Sequence, residues 1–535
     1  MRISIGVLAG TLLASSFSAD AQSAWKCLPG ESWWGGAVEY AAKAPYGHDS
    51  FSFDLNGDVS NNQSAGLLIS NRGRWIWSEQ PFAYHFRNDS VVITHASGEV
   101  KSGAAGNSLA SAYRHSSTAF FPSSGKWPDS LLLKAPQYNL WIELLDNPTQ
   151  DKVMAYARKL LAHHYPPGVL MIDNRWEAYH GAFDFDRNTF PEPRRMMDSL
   201  HAMGFKVMLW TCPFIAPDSK MYQVLLGNKY LLLDNEGKNQ QAWEHLSKPY
   251  IIQWWDGFSA CLDLTNPDAM QWLRQRYDLL QQEYQVDGFK FDAGDPYFYD
   301  HPGLTAYKNV LPTEHCRLWA TVGLKYALNE YRAMWKMGGQ PLVQRLSDKE
   351  HTWSDLQRLI PGTIAQQLLG YTFTCPDMIG GGQSGSFNEK TKVDQRLFVR
   401  SAQCHALMPM MQFSAAPWRV LDDADQQAVR KAVTIREEYL PYILKAVSDA
   451  ARTGMPAVKP LEFDYPGQGY DTVKDQFLLG DELMVAPVVT PDNKRSVVFP
   501  KGKWRYKGRL IKGPSKQTFD VPLDEILVFR KEIPN

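Results

Sequence analysis

The chain has 535 residues with 44% hydrophobic and 13% aromatic content, too long for one compact core and too apolar for a disordered or fibrous protein. Lys and Arg number 56 against 57 Asp and Glu, a formal net charge of -1. No long block of one sign occurs, which gives no reason to expect nucleic acid or an anionic membrane as partner.

The N-terminus, MRISIGVLAGTLLASSFSADAQ, has Arg2, an apolar stretch from Ile3 to Leu13 and small residues ending in Ala19-Asp20-Ala21. These are the three parts of a secretory signal, expected to cover 1–21, with an exported, periplasmic or extracellular product. The stretch is too short to span a bilayer, and no other segment approaches 18 uninterrupted apolar residues. From 22 to 135 the chain reads as short alternating runs such as FSFDLNGDVS and AGLLISNRGRWIWS, broken by Gly, Asn and Ser. That pattern predicts an N-terminal β-sandwich, and no stretch in it has a convincing helical period.

Over 136–453 the texture becomes strand then helix, repeated. YNLWIEL precedes QDKVMAYARKLLAHH, GVLMID precedes EPRRMMDSLHAMG, and KVMLW follows. PDAMQWLRQRYDLLQQEYQ leads into VDGFKFD, and RLWATVGLKYALNEYRAMW, read as helix, leads into PLVQRLS. Such alternation predicts an α/β fold, a (β/α)8 TIM barrel. After the helix QQAVRKAVTIREEYLPYILKAVSDAART, 454–535 returns to short strands and predicts a C-terminal β domain. Six scattered cysteines, Cys27, Cys212, Cys261, Cys316, Cys375 and Cys404, lack zinc spacing; one or two disulfides and isolated buried thiols are both open.

In a parallel barrel the reacting side chains stand where strands end at the C-terminal edge. Asp292 ends GFKF there, Asp173 ends GVLMID, Asp348 follows PLVQRLS and Asp377 follows GYTFTC. Asp287 begins its strand and reads as a turn or cap residue, while Asp295 is a loop acid without an assigned role. Trp210 ends KVMLW and Trp255 precedes Gly257 in a loop. Acids beside tryptophans suit a sugar, whose hydroxyls take charge-assisted hydrogen bonds and whose CH faces pack on rings. Two carboxylates flanking a glycosidic bond are the usual minimum for hydrolysing it. A barrel metalloenzyme is the rival use of such acids, but here they come with Trp and Arg rather than with further acids or His.

The residues resemble glycoside hydrolase family 31, retaining α-glycosidases with an N-terminal β-sandwich, a (β/α)8 barrel and C-terminal β domains. The similarity runs from about residue 33 to 489 through FDFDRNTFPEPRRMMDSLHAMGFKVMLWTCPFI, DLTNPDAMQWL, VDGFKFDAGD, SDKEHTWSDLQRLIPGTIAQQLLGYTFTCPDMIGG and GDELMVAPV. The resemblance implies Asp292 as nucleophile and Asp348, five residues before Trp353, as acid/base. It places a sugar-binding arginine at Arg332, 16 residues before Asp348, and matches Asp377, Trp255 and Asp173 to pocket residues.

The chain departs from the family's α-glucosidases in having Lys290-Phe291-Asp292-Ala293-Gly294 at the nucleophile. Met171 replaces a sugar-binding acid in MIDNRW, and Gln412-Phe413-Ser414 stands near the place of a later Arg-Asn-His. These changes speak against glucose, and the KFDAG form, together with the Trp33-Trp34-Gly35-Gly36 loop and PDMIGG, looks more like an α-galactosidase branch, ahead of α-glucosidase or α-xylosidase. The implied substrate-binding set is Arg332, Lys290, Asp173, Trp255, Trp210, Asp377 and Trp34, with no metal or organic cofactor and a glycoside or oligosaccharide as partner. A binding protein that has lost catalysis is the reading from another class.

Overall fold

The computed structural model describes residues 23–57, 61–235, 248–388 and 390–532. The expected signal segment lies outside them. Among the described residues no helix is long and apolar enough to cross a membrane.

Eight strands carry the centre of the molecule: β1 Gln137–Asn139, β2 Val169–Ile172, β3 Lys206–Thr211, β4 Gly288–Phe291, β5 Leu328–Tyr331, β6 Val343–Arg345, β7 Phe373–Cys375 and β8 Gln412–Phe413. They form one sheet in the order β7-β6-β5-β4-β3-β2-β1-β8, and every pair in it is parallel. The Ile379 amide donates to the Gln412 carbonyl (2.8 Å) and bridges the remaining gap beyond β7. The result is the expected TIM barrel, nearly closed. Helices such as Gln150–Ala162, Pro193–Ala202 and Pro267–Tyr284 return the chain between strands. Pro at the first turn, an Asn266 or Thr149 cap and apolar faces at helical spacing explain why these segments fold so.

The stretch read as one helix through RLWATVGLKYALNEYRAMW is in fact the helix Pro312–Val322 followed by β5 and a short strand, Met334–Trp335. All four residues of Leu328–Tyr331 are buried, so a central strand with no exposed face was mistaken for the far end of an apolar helix. The correction matters because it moves Glu330 and Arg332 onto a barrel strand and its mouth.

The N-terminal part forms two antiparallel sheets, one of four strands and one built on Trp33–Ala37, Gln63–Ser70, Arg74–Ser78 and Val100–Ala104. Contrary to the sequence expectation it also holds a helix, Leu109–Phe120, capped by a Ser108/Ser111 box. Its buried face includes Ala112, Ser116 and Ser117, small and polar residues that dilute the apolar period. Met334–Trp335 pairs in parallel with Gln63–Ser64, so the chain just beyond Arg332 is a strand of the N-terminal sheet. The C-terminal part is an antiparallel six-stranded sheet with its own core around Phe499, Trp504 and Phe529. Between barrel and C-terminal sheet runs the helix Asp423–Thr453, capped by Asp422 and ended by left-handed Gly454. Its buried Arg436 donates to the carbonyls of Leu133, Ala406, Met408 and Pro409.

All six cysteines are free thiols, and five of them are buried. Thiol titration should therefore find Cys27 reacting first in the native protein and six thiols per chain after unfolding without reductant; a smaller total would reveal a disulfide. At Gly288 a Cβ would lie 2.0 Å from the Leu328 carbonyl oxygen, inside the β4–β5 pair. Gly288→Ala should cost about 1–3 kcal/mol or more, read as a lower unfolding midpoint against wild type.

Candidate active site

The site grows out of the end of β4. Asp292 extends the pairing by donating its amide to the Thr211 carbonyl (2.8 Å), so its carboxyl emerges at the C-terminal mouth of the barrel. Its Oδ1 accepts from Arg332 Nε at 2.9 Å and from the Ala293 amide at 2.8 Å, and Oδ2 accepts from Trp210 Nε1 at 3.0 Å. Ala293 then takes a left-handed φ of 55° and Gly294 one of 72°. Only glycine fits at the second position, since a Cβ there would meet Trp319 at 2.5 Å. This turn folds Asp295 back beneath Arg332, where its oxygens accept from Nη1 (2.9 Å) and Nη2 (2.6 Å). Arg332 Nη1 also donates to the Asn61 carbonyl of the N-terminal part at 3.0 Å.

A second centre lies across the mouth, at the ends of β6 and β7. Arg345 Nη1 donates to Asp348 Oδ1 at 2.6 Å and to Asp377 Oδ1 at 2.8 Å, while its Nε stands 3.4 Å from Glu330. Asp348 keeps 31% of its side chain exposed; Asp377 is wholly buried, holds the Lys349 amide and sits at a φ of 86°. Lateral register sets Trp210, Lys290 and Glu330 side by side across β3, β4 and β5. Lys290 donates to Asp173 at 2.7 Å, with both side chains almost fully buried.

These groups surround an open cavity of about 680 Å³. Of the residues expected there, Asp292, Asp348, Arg332, Lys290, Asp173, Trp210 and Trp255 line it. Trp255, 55% exposed on a hairpin turn, lies under Arg332, whose guanidinium carbon is 5.5 Å from its ring centre. Two expectations fail. Trp34 belongs to a strand, not a loop, and is 5% exposed away from this cavity, lining instead a separate small cleft with Pro361, Ile364 and Ala365 of the helix Leu359–Leu368. Asp377 stands behind Arg345 rather than on the wall, held there by its ion pair and its left-handed backbone.

Sequence reading missed Arg345, Asp256, Glu39 and Asn61, all on the wall. Arg345 is three residues before Asp348, a spacing that could have drawn notice. Asp256, gripped by Asn174, Arg175 and His180, is marked only by its place beside Trp255. Glu39, in the short 3-10 helix Val38–Lys43, and Asn61, just before the strand Gln63–Ser70, arrive from the N-terminal part and carry no local signal. Asp295, left without a role, proves to be the counter-ion of Arg332. Asp287, read as a turn or cap residue, instead ties its strand to a neighbouring segment, taking the Val207 amide, His201 and Lys206.

Burial alone would raise the Asp292 carboxyl, but Arg332, Lys290, Arg345 and the Trp210 N–H hold it well below the usual carboxylate range. Burial pushes Asp295, Glu330 and Asp377 the other way, against the pull of the neighbouring arginines. Lys290 loses charge stability to burial, but Asp173, Asp292 and Glu330 together give back more, so it stays protonated. The chemical result is one firmly ionised carboxylate at the mouth and a more exposed carboxyl on an arginine shared with a buried acid.

Two family models match the chain: the Glycosyl hydrolases family 31 TIM-barrel domain over residues 136–446 and the Glycosyl hydrolase family 31 C-terminal domain over 454–532. The chain belongs to glycoside hydrolase family 31. Within the family, the myogenesis-regulating glycosidase of Mus musculus is 30% identical over 439 residues, 79% of this chain and 60% of that protein. Alpha-glucosidase 2 of Bacillus thermoamyloliquefaciens is 24% identical over 418 residues, 72% of this chain and 51% of that protein. The chain thus spans little more than half the length of these curated relatives. A Flavobacterium johnsoniae GH31 dextranase complexed with glucose superposes with a TM-score of 0.83 over 96% of this chain and 66% of its own, at 20% identity, which supports the shared fold. None of these three carries a galactosidase name.

Replacing Arg332 by Met removes the nearest opposing charge, so the Asp292 titration should rise by about 1–3 units. Carbon NMR of carboxyl-labelled aspartate reads this directly; an unmoved resonance would show that Arg332 does not set the charge. Because the native value is depressed, the stability it contributes is present above about pH 4 and is lost as pH falls towards that native value.

Proposed function

We propose that the protein is an exo-acting, retaining α-glycoside hydrolase that releases a terminal α-linked sugar by double displacement. The observation that carries this reading is the division of labour at the cavity. Asp292 is kept ionised by Arg332, Lys290 and Trp210, while Asp348 lines the same cavity, more exposed and next to Arg345.

In the first half-reaction an Asp292 oxygen bonds to the anomeric carbon as the glycosidic C–O bond breaks, and Asp348 transfers its proton to the departing oxygen. In the second, Asp348 takes a proton from water as the water oxygen displaces Asp292 from the same carbon, restoring both groups with net retention. Lys290, Asp173 and Arg332 offer charge-assisted hydrogen bonds to the sugar hydroxyls, and Trp210 and Trp255 offer aromatic faces.

For the sugar, α-galactosides come first. Supporting this, buried Met171 stands two residues before Asp173 where the glucosidases of the resemblance carry an acid, touching Gln412 Nε2 through its sulfur at 3.8 Å. Gln412 in turn donates to Glu330 at 2.7 Å, so the region of the later Arg-Asn-His is turned inward into the barrel. α-Glucosides or α-xylosides are the second reading, favoured by relatives such as the Bacillus α-glucosidase 2 named above.

A panel of p-nitrophenyl α-galactoside, α-glucoside and α-xyloside decides the sugar; cleavage of the glucoside alone would end the galactose assignment and leave the reaction class standing. Asp292→Asn should lose roughly a thousandfold or more of kcat with an unchanged circular-dichroism spectrum, and substantial residual turnover would remove Asp292 from its role.

A further inference from the structure

Asp348 poses a physical difficulty. A general acid must hold its proton until the leaving oxygen needs it, yet Asp348 lies 2.6 Å from a guanidinium, which favours the ionised form. The surroundings of Arg345 supply the compensation. The same Nη1 is shared with buried Asp377 at 2.8 Å, and Glu330 faces its Nε at 3.4 Å. Three carboxyls therefore divide one cation. We infer that Arg345 is a positioning residue that aims Asp348 into the cavity and, with Asp377 as the opposing carboxyl, sets the pH at which Asp348 gives up its proton. The inference rests on the acid/base role proposed above for Asp348.

The geometry leaves little freedom for another arrangement. Arg345 Nη1 also donates to the Leu346 carbonyl at 2.9 Å, so the guanidinium is fixed by its own strand end as well as by the acids. Asp377 cannot swing away, since its Oδ2 takes the Lys349 amide at 2.8 Å. Behind Asp348 the wall is backbone: a Cβ on Gly382 would stand 2.8 Å from its Oδ1, so only glycine leaves the carboxyl its place. Other charged groups face the cluster from every side. Asp292 from β4 adds negative charge, and Lys290 beside Glu330 adds positive. Lys349, buried between Asp377 and Glu39, and Arg358, paired with Glu39 at 2.7 Å, complete the ring. Asp348 and Asp377 thus share one guanidinium nitrogen, and burial favours the protonated form of Asp377.

The two partners of Asp348 have opposite signs, which gives the test its direction. Arg345→Gln removes positive charge, raises the proton affinity of Asp348 and should move the basic limb of the kcat/KM profile up by about one pH unit or more. Asp377→Asn removes, at nearly constant shape, the carboxyl that competes for Arg345, leaves Arg345 more fully to Asp348 and should move that limb down. Profiles are measured on the methyl and 2,4-dinitrophenyl α-glycosides of the sugar selected by the chromogenic panel. Since the dinitrophenolate departs without a proton, both variants should lose less on it than on the methyl glycoside. Asp348→Ala serves as the reference, with a large loss on the methyl glycoside and a much smaller one in the glycosylation step of the other.

Opposite shifts of the two limbs would establish the inference. Limbs that stay at the wild-type pH, with an Asp348→Ala loss that still depends on the leaving group, would overturn it and spare the acid/base role. An Asp348→Ala loss equal on both substrates would overturn that role and this inference together. Should Arg345→Gln fail to fold, the isosteric Asp377→Asn decides by itself: a lowered limb supports the inference and an unmoved one ends it.

Discussion

Two guanidinium groups buried at the mouth of the barrel govern the rest of the site. Arg332 is 8% exposed and Arg345 2%, and a charge so withdrawn from water is tolerated only when it is opposed. Arg332 is held by Asp292, Asp295 and a carbonyl of the N-terminal part; Arg345 is opposed by Asp348, Asp377 and Glu330, with its Nη1 bonded to its own strand end and its buried Nε left without a hydrogen bond. The acids are thereby placed by the arginines. The turns after β4 and β7 follow from this demand, since Ala293 and Asp377 take left-handed backbone that a free loop would avoid. Strain concentrated at these two positions is what keeps a carboxyl aimed at each arginine.

The same charges separate acids that share a chemical formula. Lys290, Arg332 and Arg345 face Asp173, Asp292, Asp295, Glu330, Asp348 and Asp377, so acids outnumber cations. Each cation stabilises the anion nearest to it, and the surplus is resolved by burial. Asp292 keeps its charge, whereas Asp295, Glu330 and Asp377 are pushed towards holding a proton. A barrel mouth lined by carboxyls alone would have no such order, and a mouth with full pairing would have no group left to exchange a proton.

Much of this was legible in the sequence because it is local. Asp173 and Asp292 directly follow four-residue buried strands and Asp348 stands three residues past the strand Val343–Arg345, and a parallel barrel turns all such ends to one rim. The failures share a cause too. Leu328–Tyr331 is buried on both faces, so it shows neither alternation nor helical period, and Arg332 escaped placement on a strand. Leu109–Phe120 buries serines and alanines, which carry little apolar signal. Trp34 and Asp377 looked like pocket residues by their neighbours in the chain, but the side of a strand and the hand of a turn decide direction, and neither is written in residue type. Glu39 and Asn61 depend on how one folded part sits against another.

That last dependence reaches further than two side chains. Because Met334–Trp335 is laid into the N-terminal sheet beside Gln63–Ser64, the backbone leaving Arg332 has its course dictated by residues some 270 positions earlier. The border between sandwich and barrel, clear in sequence texture, is therefore not a border in chemistry. An exchange of the N-terminal part between relatives would be an active-site graft even if no barrel residue were altered. For this chain the unit of inheritance is the pair, and variation in the sandwich is a route by which substrate preference can drift while the barrel stays the same.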